Sequence, residues 1–304
     1  MSLCSRALAA ALLLAAACSQ PATTTTTTPS PAHDHSAAGT GGTASVSIIS
    51  DLKLAPGAST APIRLERSPR HGEWVTISAG PQPGDSLRLW VVYPERATKA
   101  PVVIVVHEIF GMSTWIRSVA DQLAADGFIA IAPDLLTGKG GVAPPDTITA
   151  QAATAAIRAL DPDVVQRQID AAAAYGMALP AAQPRYGIVG FCWGGGVSFQ
   201  HAVHSPTLGA AVVYYGTSPP SASLASVRAP VLGLYGGEDA RVDATIPPAD
   251  SAMKALGKSY VYQLFPGAGH GFLRGQDQQN GANLAASIRA WPMTVEFFRA
   301  NLEH

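Results

Sequence analysis

The chain has 304 residues, a formal net charge of −1 and only three cysteines. Once a leader and a tether are set aside, that length leaves one domain of ordinary size with ample core. Near-neutral charge without a basic run argues against a nucleic-acid partner. The absence of dinucleotide and P-loop fingerprints leaves no cofactor to expect, and no metal site.

Residues 1–17 hold a single basic residue, Arg6, followed by an apolar stretch from Ala7 to Ala17. This stretch is too short to span a bilayer and fits a signal peptide. Small residues then meet a cysteine at Ala15-Ala16-Ala17-Cys18, which resembles a bacterial lipobox with Cys18 as the lipidated first residue. Cleavage after Ala17 without lipidation is the competing expectation. The protein is therefore expected to be exported, as a membrane-anchored lipoprotein or as a periplasmic or secreted enzyme. Residues 18–60 are read as a lipid-anchored or flexible linker, because the Thr23 to Thr28 run, Pro29, Pro31 and the glycines around Gly41 cannot bury a core. His33-Asp34-His35 is too small a set to complete a metal site.

From residue 61 to 304 strand-like and helical runs alternate. Strands are expected at 74–78, 87–93, 102–106, 128–132, 186–189, 210–215, 231–235 and 260–265, with helices at 113–126, 150–158, 162–177, 193–204, 248–256 and 281–302. The pattern predicts an α/β domain with a mostly parallel eight-stranded sheet and helices on both faces. In the last helix Trp291, Phe297 and Phe298 recur at helical spacing and are expected in the core.

The chemistry concentrates at strand ends. Gly190-Phe191-Cys192-Trp193-Gly194-Gly195 reads as a nucleophile elbow with cysteine in place of the usual serine. The glycines allow a sharp turn and close packing, and the N–H of Trp193 at the helix start is aimed at a developing oxyanion. Such a site needs an acid and then a histidine after later strands. Asp239 follows Gly236-Gly237-Glu238, with Glu238 and Asp243 as competing acids, and His270 lies in Gly269-His270-Gly271-Phe272. After the apolar run 102–106 come His107-Glu108-Ile109-Phe110-Gly111. The N–H of Ile109 is expected as the second oxyanion donor. A carboxylate at Glu108 would donate to the thiol if protonated and oppose thiolate formation if ionised.

These motifs, with Ala132-Pro133-Asp134-Leu135, resemble the dienelactone hydrolase family of α/β hydrolases over most of residues 71–304. The resemblance implies Cys192, Asp239 and His270 as a triad, Glu108 as the group that holds the resting cysteine and takes part in its activation, and Arg274 as a contact for a substrate carboxylate. Family members acting on dienelactone carry further arginine and tyrosine contacts after the Pro-Asp-Leu segment, where this chain has only Lys139 as a cation. The expected activity is thus hydrolysis of a small-molecule ester or lactone by a cysteine-dependent, carboxymethylenebutenolidase-like enzyme, expected as a monomer. Hydrolysis of thioesters or peptide bonds is a minor rival. A catalytically weak surface-binding lipoprotein on the same fold is the alternative from another class.

Overall fold

The computed structural model describes residues 53–80, 85–137 and 149–303. Cys18, the leader, the His33-Asp34-His35 cluster and Lys139 lie outside them. Eight strands form one sheet: β1 (Gly72–Ser78), β2 (Ser86–Val92), β3 (Ala100–Val106), β4 (Ile129–Asp134), β5 (Ala182–Phe191), β6 (Ala210–Tyr214), β7 (Val231–Gly236) and β8 (Tyr260–Phe265). Their order is β1-β2-β4-β3-β5-β6-β7-β8. The β1–β2 and β2–β4 pairs are antiparallel. All others are parallel.

The described helices are α1 (Ala61–Glu66), α2 (Thr114–Ala125), α3 (Ala150–Arg158), α4 (Pro162–Ala178), α5 (Trp193–His204), α6 (Ala240–Asp243), α7 (Ile246–Ala255) and α8 (Ala282–Leu302). The period-two alternation of the strands divides the core into two layers. Val103, Val105, Val189, Val212 and Leu234 pack with Trp115, Ile116, Trp291 and Phe298 on one face. Val102, Ile104, Ile188, Val213 and Tyr235 pack with Ile169, Phe199 and Met253 on the other. Trp291 and Phe298 are buried as expected, whereas Phe297 is only partly covered.

Two elements extend past their sequence signals. β5 begins at Ala182, well before the apolar run at 186, because the backbone of Ala100 pairs with Ala182 even though Gln183-Pro184-Arg185 lacks hydrophobic alternation. The expected linker end at residue 60 also needs correction. Leu54 and Ala55 are buried. The Trp115 indole N–H donates to the Pro56 carbonyl at 2.8 Å, Ala58 N–H to the Arg274 carbonyl at 2.7 Å, and the Gln276 amide to the Ala55 carbonyl at 2.9 Å. These partners come from distant parts of the chain, so composition around residue 55 could not reveal the docking. A chain starting at residue 61 is therefore expected to melt at least about 5 °C below one starting at residue 53, since each kcal/mol is worth ~2–4 °C in a domain of this size. Thermal unfolding of the two truncations checks this.

Candidate active site

Strand β5 delivers Cys192 at φ 55° and ψ −117°, and α5 starts at the next residue. A non-glycine residue with this backbone is strained by about 1–3 kcal/mol. The surroundings hold it there: Cys192 N–H donates to the Tyr214 carbonyl at 3.1 Å, and Gly196 N–H donates to the Cys192 carbonyl at 3.2 Å. The elbow tolerates no side chain at its glycines. A Cβ on Gly190 would stand 1.9 Å from the Gly194 carbonyl oxygen, and one on Gly194 would stand 2.4 Å from the His107 carbonyl oxygen. The start of α5 is thus pressed against the end of β3, bringing the Trp193 and Ile109 backbones to the same sulfur.

Asp239 and His270 follow β7 and β8, at the carboxyl edge of the sheet where open α/β folds place ligands. The Asp239 carboxylate accepts from His270 Nδ1 at 2.5 Å. Because a carboxylate only accepts, the neutral imidazole carries its proton on Nδ1, which leaves Nε2 as the free base. Asp239 is buried, while His270 is about one-third exposed at 35%. The rival acids stand elsewhere. Glu238 is exposed. Asp243 lies one helical turn on, where its backbone N–H bonds the Asp239 carbonyl at 2.9 Å. Burial, followed by the negative charges of Asp239 and Glu238, raises the Asp243 carboxyl above its ordinary range.

Glu108 is buried, and burial pushes its carboxyl up to about 7 against the opposing charge of Arg274. The Arg274 guanidinium lies 3.4 Å from the Glu108 carboxylate and stacks 4.7 Å above the Phe110 ring. Arg274 therefore faces Glu108, and it is not among the residues lining the cavity described below. The thiol of Cys192 is pushed up to about 11. Burial is the larger cause and the Glu108 charge the second; the Trp193 N–H, the Arg241 charge and the Ile109 N–H oppose them. The N–H groups of both expected oxyanion donors thus favour the thiolate. Among the described residues no hydrogen bond joins the sulfur to His270, and the thiol rests neutral.

Removing the Glu108 charge should free the thiol. Glu108→Gln is expected to speed iodoacetamide alkylation of Cys192 several-fold at pH 8, where wild-type Glu108 is ionised. The difference should vanish below about pH 6, where the wild-type carboxyl is protonated, since each unit of thiol pKa is tenfold in thiolate. A pH series of alkylation rates reads this directly.

A cavity of about 680 Å³ opens over Cys192 and His270. Its walls are mostly apolar, with Ile109, Leu160, Val165, Trp193 and Val197, and Arg158 and Arg241 add positive charge. Arg241 and Tyr215 are among its residues that no motif marked. Arg241 is exposed on the short α6 and had no motif to mark it. Tyr215 adopts φ 40°, stands edge-on to the His270 ring at 5.2 Å, and keeps a buried hydroxyl without a partner among the described residues. The only available signal for Tyr215 was its position just past β6. Asp134, part of the resemblance motif, is tied up in a 2.7 Å ion pair with Arg88. No group of three or more His, Cys, Asp or Glu capable of holding a metal occurs among the described residues.

The sheet order, the strand-to-helix elbow and the placement of acid and histidine after successive later strands define an α/β hydrolase. The chain belongs to the dienelactone hydrolase family, whose model matches residues 87–302. It is 32% identical over 81% of its length, and 94% of the relative's, to a provisionally named carboxymethylenebutenolidase of Salmonella typhimurium. To one of Saccharolobus solfataricus it is 31% identical over 71% of its length and 95% of the relative's. Among solved structures it resembles a provisionally named dienelactone hydrolase from Klebsiella pneumoniae. That likeness has a TM-score of 0.64 and 28% identity, and covers 75% of this chain and 98% of the other.

Proposed function

We propose that the protein hydrolyses small carboxylic esters or lactones with Cys192 as nucleophile and His270 as general base. The observation that carries this reading is the 2.5 Å Asp239–His270 pair in the site whose cavity holds a cysteine on a strained elbow. Arrival of substrate turns the sulfur toward the imidazole, and His270 Nε2 takes the thiol proton as sulfur attacks the carbonyl carbon. The electron pair of the C=O bond moves to oxygen, where the Ile109 and Trp193 N–H groups receive the charge. Collapse breaks the C–O bond, and the imidazolium returns its proton to the leaving alkoxide. Water, deprotonated by His270, then attacks the thioester and releases the acid and the thiol. Asp239 holds the imidazole in the required tautomer throughout.

Glu108 keeps the resting thiol protonated at high pH, and Arg274 governs Glu108. A substrate carboxylate reaching Arg274 would compete with Glu108 for the guanidinium, linking anion binding to the charge beside the thiol. A mere binding surface would have no use for a strained cysteine backed by a buried carboxyl, which favours the enzyme over the surface-binding alternative. Export through the leader and anchoring at Cys18 belong to the same proposal: labelled fatty acid should appear on the full chain and not on Cys18→Ala. The activity itself is tested on a panel of p-nitrophenyl esters and small lactones, including a dienelactone. Turnover of at least one class supports the reading, and a folded, reduced enzyme inert toward all of them opposes it.

A further inference from the structure

We propose that His107 is a positioning residue for the oxyanion site, holding the Glu108–Ile109 peptide so that the Ile109 N–H points at the reacting centre. The inference rests on the hydrolase reading above, and its first ground is covalent geometry. In a trans peptide the C=O of one residue and the N–H of the next point in opposite directions across one plane. Whatever fixes the Glu108 carbonyl therefore aims the Ile109 N–H. Two donors fix it: the His107 ring through Nδ1 at 2.9 Å and the Gly111 backbone N–H at 3.1 Å. On the other side of that peptide, the Ile109 N–H acts on the Cys192 sulfur.

The ring has one available state. His107 is fully buried, and burial lowers its pKa, so the imidazole is neutral. A carbonyl can only accept, so the single proton sits on Nδ1. Nε2 is then a bare acceptor, and it has no partner among the described residues. A buried acceptor left unpaired is destabilising, a penalty that a purely space-filling residue would not incur.

The same ring also reaches the other donor. It stacks on Trp193 with centroids 5.6 Å apart and planes 22° apart. The His107 carbonyl meanwhile lies where a Cβ on Gly194 would collide. One side chain is thus hydrogen-bonded to the peptide of one donor and packed against the side chain of the other. It does not line the cavity over Cys192, and acts through Ile109 and Trp193.

The test separates the donor from the stack. His107→Phe keeps an aromatic ring against Trp193 and removes the donor; His107→Leu removes both; His107→Asn keeps an amide N–H near the Nδ1 position. With an ester substrate, Phe and Leu are expected to lose at least tenfold in kcat/KM, approaching the roughly 10²–10³ that loss of a whole oxyanion donor costs. The loss should fall on kcat rather than KM. Affinity for a trifluoromethyl ketone, which forms an oxyanion on the sulfur, should fall by the same factor. Asn should restore both to within about threefold of wild type. The inference is overturned if a folded Phe variant stays within threefold of wild type, or if Asn is no better than Phe. Cys192→Ala is assayed alongside: turnover there within tenfold of wild type overturns the thiol reading itself, whereas the His107 outcomes bear on positioning alone.

Discussion

Cys192→Ala is expected to leave a folded protein whose kcat on its best ester is reduced on the order of 10⁴- to 10⁶-fold, the scale seen when a triad nucleophile is removed. The backbone at this position is strained for any non-glycine residue, and alanine inherits that strain without adding to it, so the melting temperature should change little. The loss is large because the remaining groups then have nothing to assist. His270 has no thiol proton to take, and the Ile109 and Trp193 N–H groups receive no covalent intermediate. Steady-state kinetics with circular dichroism on the same samples checks both halves. A variant within tenfold of wild type would remove the thiol from the mechanism.

Asp239→Asn should cost about 10⁴-fold in kcat, as the equivalent change does in a Ser-His-Asp triad. An asparagine amide can turn its N–H toward Nδ1, which favours the tautomer with the proton on Nε2 and removes the base from the side where the thiol must be deprotonated. It also withdraws the charge that stabilises the imidazolium. Asp243→Asn is the control. Its carboxyl has no hydrogen bond to His270 in the described structure, so activity should stay within about threefold of wild type. Equal losses in the two variants would mean that the histidine is oriented by both acids.

The residues that the fold gathers at this candidate site were legible in the sequence because each lies in a motif that is local in the chain. Elbow, acid and histidine each follow a strand of marked apolar character, and the glycines of the elbow and Gly236 before the acid are required by backbone contacts as short as 1.9 Å for an added Cβ. Hence α3 and α5 fall where periodicity places them, and Asp239 could be preferred over Asp243 from its turn alone. What escaped depends on partners far away in sequence. The docking of residues 54–58 relies on Trp115, Arg274 and Gln276. The early start of β5 relies on its neighbour Ala100, and Arg241 matters only because the fold lays it on the cavity wall. Arg274 shows the intermediate case: the family resemblance marked it for a substrate carboxylate, and in the structure its guanidinium lies against Glu108. The described residues contain no helix long and apolar enough to cross a membrane.

If ester hydrolysis passes through a thioester on Cys192, the intermediate is directly visible by intact-protein mass spectrometry of enzyme acid-quenched during turnover of a slowly deacylated p-nitrophenyl ester, followed by peptide mapping. One acyl group per chain is expected, carried on the peptide containing Cys192 and absent from Cys192→Ala. Rapid turnover with an acyl group on another residue, or acylation that persists in Cys192→Ala, would contradict it.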